Sequence, residues 1–151
     1  MTTQLVIAPL LVALSTAILT LLSGSSVRLQ QAVSLAGGVV YLGVVASLFH
    51  RILLPFGSES TTLVYQVGNW PAPFGITLVA DALSAFMLAL AALVSLASLG
   101  YAVLYVDRFG QQLSFHPLYH FMLVGVSGSF LTGDVFNLFV WFEVMLMSSY
   151  V

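Results

Sequence analysis

One acidic side chain stands where acids are costly. Glu143 lies within Phe139-Val140-Trp141-Phe142-Glu143-Val144-Met145-Leu146-Met147. On a helix that starts after a turn at Thr132-Gly133-Asp134, it sits roughly 13 Å beyond Asp134. That depth is inside the hydrocarbon of a membrane. A carboxylate there costs at least about 3 kcal/mol on insertion scales, so it faces a partner or water and ordinarily has a function. The chemistry open to it is the uptake and release of a proton. The structural alternative is an interhelical hydrogen bond, or an ion pair made for assembly. The chain has no lysine. A cationic partner is therefore an arginine or belongs to other sequence.

Four further residues are candidates for an ion path. His116 and His120 are four apart and share a helix face. That spacing suits a metal, but no acidic third ligand is near in sequence. The readings left are polar residues near the membrane surface or an interfacial proton relay. Asp81 and Asp134 read first as helix caps, and each could also stand at the mouth of an ion path. Gly125, Ser129 and Gly133 form a stripe of small residues at four-residue spacing, a pattern that lets helices approach closely. Ser127 and Ser129 lack a base that would make either a nucleophile. No Gly-rich phosphate loop, haem motif or iron–sulfur spacing is present, so no cofactor is expected, nor any metal or enzymatic activity. Without cysteine there are no disulfides or thiolate metal sites.

These residues need elements that hold them in lipid. Of 151 residues, 60% are hydrophobic and 5% charged, against roughly a quarter charged in a soluble domain. A chain this short cannot hide that much apolar surface from water. In lipid the backbone must be satisfied within helices or a closed barrel. The apolar runs are continuous rather than alternating, so the expected class is all-α integral membrane, with about five transmembrane helices in one domain. The segments predicted are 5–22, 32–49, 79–106, 117–132 and 135–151. Ser23-Gly24-Ser25-Ser26 resembles a leader cleavage region, but the run before it is long enough to span. From Pro55 to Gly75 the chain is punctuated by Pro55, Gly57, Gly68, Pro71, Pro73 and Gly75, which argues against helix. Val64-Tyr65-Gln66-Val67 is a candidate extended piece there. Asp81 opens the third segment and Asp107-Arg108-Phe109-Gly110 closes it. Pro117 suits the first turn of the fourth, and Gly133 and Asp134 read as its stop and the next helix's cap. The fifth segment is still apolar at Val151 and reads as cut short, which predicts an incomplete fragment.

The net charge is −2, from Arg28, Arg51 and Arg108 against Glu59, Asp81, Asp107, Asp134 and Glu143. Nothing here is a basic patch for nucleic acid or an anionic headgroup. With the N-terminus outside, Arg28 and Arg108 fall in cytoplasmic loops and Arg51 outside, in the sense of the positive-inside rule. Trp70, Trp141 and the tyrosines suit interface anchoring or packing.

Two stretches carry a family resemblance. One is Gly68-Asn69-Trp70-Pro71-Ala72-Pro73-Phe74-Gly75-Ile76 followed by Ala80-Asp81-Ala82-Leu83-Ser84-Ala85. The other is Phe115-His116-Pro117-Leu118-Tyr119, then Gly133-Asp134-Val135-Phe136-Asn137-Leu138-Phe139-Val140-Trp141-Phe142-Glu143-Val144, then Ser149-Tyr150. Together they resemble the N-terminal part of the D subunit of Mrp-type multisubunit sodium/proton antiporters. The wider family takes in the antiporter-like membrane subunits of respiratory complex I and of membrane-bound hydrogenases.

The resemblance implies a bundle of about fourteen helices built on inverted repeats. It implies a proton-handling glutamate at Glu143, working with lysines on later helices that this chain does not contain. It implies a multi-pass protein of the plasma (inner) membrane of a prokaryote. The implied partners are the lipid bilayer, other subunits of a hetero-oligomeric complex with their lysine-bearing helices, and the ions H+ and Na+. Three functions follow. The first is a proton-translocating part of a cation/proton antiporter. The second is a membrane arm of a complex I or hydrogenase. The third is a scaffold whose helices only complete an assembly.

Overall fold

The computed structural model describes residues 3–24, 26–53, 62–70, 74–106 and 114–150. Pro55, Gly57, Glu59, Pro71, Pro73, Asp107, Arg108, Gly110 and Val151, singled out above, lie outside them. Five α-helices are described: α1 Ala8–Leu22, α2 Val27–Leu53, α3 Ala82–Tyr105, α4 His116–Leu131 and α5 Val135–Ser149. A 3-10 turn over Thr3–Leu5 precedes α1.

Two helices, α2 and α3, are long and apolar enough to cross a membrane, while α1 and α5 are shorter apolar helices. α2 runs further than the predicted 32–49 at both ends. Gln30 turns into the bundle and is buried, which makes the polar first turn part of the helix. His50 and Arg51 occupy the last turn, where cations oppose the dipole. At α3 the predicted 79–106 is too long at its start. Val79 and Ala80 are spent in a strand, and Asp81 caps the helix behind them. A carboxylate capping free amides fixes that boundary better than hydropathy can.

The connection between α2 and α3 carries a hairpin. Strand β1, Leu63–Gln66, pairs antiparallel with β2, Thr77–Ala80, in the register Leu63↔Ala80 to Gln66↔Thr77. A 3-10 turn over Val67–Asn69 lies between them, with Gly68 and Asn69 both at positive φ. Those two residue types tolerate that region best. The hairpin is tied to the α4–α5 turn by a bridge of Leu78 to Thr132 and by the Gly133 amide donating to the Thr77 carbonyl at 2.9 Å. Gly133 is thus not a left-handed stop. It allows close approach, since a Cβ there would come within 2.8 Å of the Val79 side chain.

Helices α1, α2, α3 and α4 form a ring, and α5 packs on the outside of α4. α2 and α4 stand diagonally and meet through side chains. Ser34 reaches His120 and Tyr41 reaches Ser127, each across an offset of 86 residues. One constant offset means that α2 and α4 run parallel. The apolar core is gathered toward the hairpin end, around Leu10, Leu48, Ile52, Leu78, Leu88 and Leu131. Leu22, Leu104, Phe136 and other large apolar side chains cover the exterior, each more than three-quarters exposed. That surface requires lipid or protein around it.

Candidate functional site

Asp134 starts α5, its carboxylate accepting the Phe136 amide at 2.7 Å. Only one stripe of α5 turns inward, running through Asn137, Trp141, Val144, Met145 and Ser148. This stripe docks on glycines of α4. A Cβ at Gly125 would stand 2.9 Å from both the Trp141 carbonyl and the Met145 amide, and one at Gly128 would fall inside the Trp141 ring. The close approach thus uses Gly125 and Gly128. In the predicted stripe, Ser129 bonds the Gly125 carbonyl of its own helix at 2.8 Å and Gly133 packs on the hairpin.

Glu143 is on the opposite face of α5. It is exposed, and its neighbours there are Phe136, Phe139, Val140, Leu146 and Met147, all exposed as well. Among the described residues it makes no hydrogen bond or ion pair. Lying midway between Trp141 and Met145, it shares the depth of Gly125. Lipid cannot hold an unpartnered carboxylate at that depth cheaply. This face of α5 therefore requires water or further protein against it.

Asp81 and Asp134 are brought together. They line one cleft of about 340 Å³, with Ser84, Thr132 and Leu138, beside the hairpin. Asp81 forms a reciprocal cap with Ser84. The Ser84 amide donates to its carboxylate and the Asp81 amide donates to the Ser84 hydroxyl, both at 2.8 Å. The Ser84 backbone bond first, and the side-chain bond second, hold the Asp81 carboxyl below its ordinary range. Both aspartates serve as caps, at a distance from Glu143 set by the length of α5.

His116 opens α4 and His120 stands about one turn further along it. They are 0% and 1% exposed, inside the ring of helices. His120 Nε2 meets the Ser34 hydroxyl at 2.8 Å, and its Nδ1 has no partner among the described residues. Further along the same pair of helices the Tyr41 and Ser127 hydroxyls are 2.7 Å apart. Ser127 donates to the Leu123 carbonyl at 2.6 Å, which leaves Tyr41 as the donor to Ser127. Among the described residues, no group of three His, Cys, Asp or Glu could hold a metal. Sequence reasoning missed Gln30, Ser34 and Tyr41. Their signal was present as polar residues four and seven apart in an apolar helix.

Known proteins give the frame for this geometry. No family model matches the chain. It is 38% identical over 148 residues to the D subunit of the Na(+)/H(+) antiporter of Alkalihalophilus pseudofirmus, covering 98% of this chain and 29% of that protein. A Rhizobium meliloti protein, named as the D subunit of a probable K(+)/H(+) antiporter, is 41% identical over 148 residues, 97% of this chain and 27% of that protein. A solved structure of the Mrp complex from Dietzia sp. matches with a TM-score of 0.79 and 31% identity, over 99% of this chain and 26% of that one. The chain is homologous to the N-terminal part of the Mrp-type antiporter D subunits. The resemblance carried by the Gly68 and Gly133 stretches is thereby shown, and with it an all-α, multi-pass membrane fold. This D-subunit homologue spans less than a third of the length of the relatives it matches.

Proposed function

We propose that this chain is a proton-handling part of a multisubunit monovalent cation/proton antiporter, and that Glu143 binds and releases the proton at mid-membrane. The observation that carries the reading is Glu143 itself, a carboxylate with no partner among the described residues, on an outward apolar face of a membrane helix. A scaffold helix gains nothing from that placement, because a leucine there would insert at several kcal/mol lower cost. A proton carrier needs it. The group must reach water on one side of its cycle and a changing electrostatic partner on the other. The partners proposed are the other subunits of the complex, with lysine-bearing helices covering α5. The cation proposed is sodium, after the name of the Alkalihalophilus relative. Potassium is the alternative in the name of the Rhizobium relative. Transport rather than catalysis is the reading, after the antiporter names of the relatives.

The test uses the assembled antiporter that contains this chain. A lipid-soluble carbodiimide reacts with protonated carboxyl groups from within the bilayer. It is expected to stop antiport and leave its adduct on Glu143, located by peptide mass spectrometry. An inactivated complex with Glu143 unmodified would contradict the assignment.

A further inference from the structure

We infer that the slot between α1 and α5, beneath the hairpin, holds one acyl chain of a phospholipid from the leaflet on the hairpin side. The inference rests on the membrane fold and not on the carrier role of Glu143.

α1 and α5 both pack on α4, and a slot of about 360 Å³ lies between them. Val67 and Ile76 of the hairpin line its upper end. Phe121 and Val124 of α4 form its floor, with Leu11 and Leu14 of α1 on one wall and Trp141 and Val144 of α5 on the other. Its length follows from register. The hairpin is bonded to Thr132 and Gly133, at the end of α4. Phe121 lies ten residues before Leu131, roughly 15 Å along α4. Val144 lies ten residues beyond Asp134, the same depth along α5. The slot therefore reaches from the hairpin to roughly 15 Å, half of a hydrocarbon core of about 30 Å. That is the depth of one leaflet. Its upper end stands at the membrane–water interface. Trp70 and Phe74, between the two strands of the hairpin, are exposed, and tryptophan collects at the level of the headgroups.

The cross-section decides what enters. A volume of about 360 Å³ over about 15 Å leaves about 24 Å². An alkyl chain with its neighbours at about 4 Å fills roughly 16–20 Å². A helix about 10 Å across needs roughly 80 Å² and can only lie over the mouth. Water is not held there, because the lining side chains are aliphatic or aromatic and a bound water needs about two to four polar partners. An empty slot would forfeit dispersion contacts along every wall. The slot is also reachable from lipid. Leu11, Leu14 and Ile76 are each more than a third exposed, so its long side opens on the exterior. The described residues beside its upper end, Gln66, Asn69 and Trp70, carry no charge. The fit is therefore to the chain and not to the charge of a headgroup. A chain seated here touches Leu14 on one side and Trp141 on the other, and so joins α1 to α5 across α4. Lipid thereby steadies α5, the helix that carries Glu143.

The experiment uses the whole antiporter complex in vesicles of phosphatidylethanolamine and phosphatidylglycerol. The vesicles are doped with phosphatidylethanolamine that carries a diazirine halfway along one acyl chain. Light expels nitrogen from the diazirine, and the carbene left behind inserts into a neighbouring C–H bond. Peptide mass spectrometry then locates the adducts. Lipid that only bathes the exterior labels open positions such as Leu104 of α3, more than three-quarters exposed. A chain seated in the slot also labels Phe121, Val124 or Val144, of which Val124 is only 6% exposed. Those adducts are expected in the wild type. Leu14→Trp, at a position open to the exterior, narrows the slot and is expected to lose them while exterior labelling persists. Where that variant fails to assemble on a native gel, Val144→Phe is read in the same way at Phe121 and Val124. Adducts confined to exterior positions in the wild type, or slot adducts unchanged in the narrowed variant, would overturn the inference. So would a photoreactive phenylalanine derivative at position 14 that cross-links to protein and not to lipid, since the occupant would then be another segment of the complex. None of these readouts depends on antiport, so failure of the carrier assignment at Glu143 leaves them unaffected.

Discussion

The two ends of the bundle are built on different terms. Toward the hairpin, the facing positions of α1, α2, α3 and α4 are Leu10, Leu48, Leu88 and Leu131, close-packed and dry in character. Toward the other end, they are Thr20, Ser34, Ser95 and His120: Ser34 and His120 share one hydrogen bond, Thr20 bonds the Thr16 and Ala17 carbonyls of its own helix, and the Ser95 hydroxyl has no partner among the described residues. The first half can hold only by packing, since those four side chains are apolar. The second spends buried volume on groups that pack no better than leucine and cost more to desolvate. A bundle selected for stability alone would not divide this way. These positions are apolar at one end and polar at the other. Glu143 stands at the depth where they meet, on the outside of the next helix.

The largest expected effect on stability lies at the apolar end. Leu88 is fully buried there. Leu88→Ala is expected to cost about 2–5 kcal/mol through lost burial and a cavity, read as a lower thermal midpoint by circular dichroism of the complex in detergent. Antiport per assembled complex should stay near wild type. A fall in transport at unchanged stability would blur the comparison. Next comes the α4–α5 contact. Gly128→Leu drives a side chain into Trp141 and should cost about 1–3 kcal/mol by overpacking. Near-native melting of that variant would mean that α5 is not held where it stands.

Much of this was legible in the sequence, for identifiable reasons. Glu143 announced itself because a lone carboxylate in a nine-residue apolar run has few innocent explanations. Asp81 and Asp134 were readable as caps because their bonds are local. The ends of α2 were not legible, since Gln30 is polar by composition yet faces inward by register. His116 and His120 were read as polar residues near the membrane surface or as an interfacial proton relay, without their burial in the ring of helices. Their burial depends on α2, 86 residues away, and no local pattern on α4 encodes it. The hairpin was half visible: Val64-Tyr65-Gln66-Val67 read as extended, of which Val67 belongs to the turn, while Val79 and Ala80 of the partner strand were absorbed into the next helix by their hydropathy.

Smaller effects sharpen the contrast at the rim. Asp134→Ala removes the acceptor for the Phe136 amide and should cost about 1 kcal/mol, read in the same melts. The smallest change is expected for Asp81→Asn, which keeps a capping oxygen. The Asp81 carboxyl is held low by its Ser84 bonds. Its charged form thus adds stability that is fully present above the unfolded carboxylate value of about 3.9. That stability is lost as pH falls through the lower folded value. The difference in melting between wild type and Asp81→Asn should be flat from about pH 8 to about pH 5 and should shrink only in stronger acid. A difference that changes near neutral pH would point to another group.

The most direct measurement is sodium-driven proton movement in everted vesicles, comparing the intact assembly with its Glu143→Gln form, with assembly checked on a native gel. Glutamine keeps the shape and cannot carry a proton. The account predicts that movement falls to background while the complex still assembles. Undiminished antiport in Glu143→Gln would contradict it and leave these helices as a scaffold.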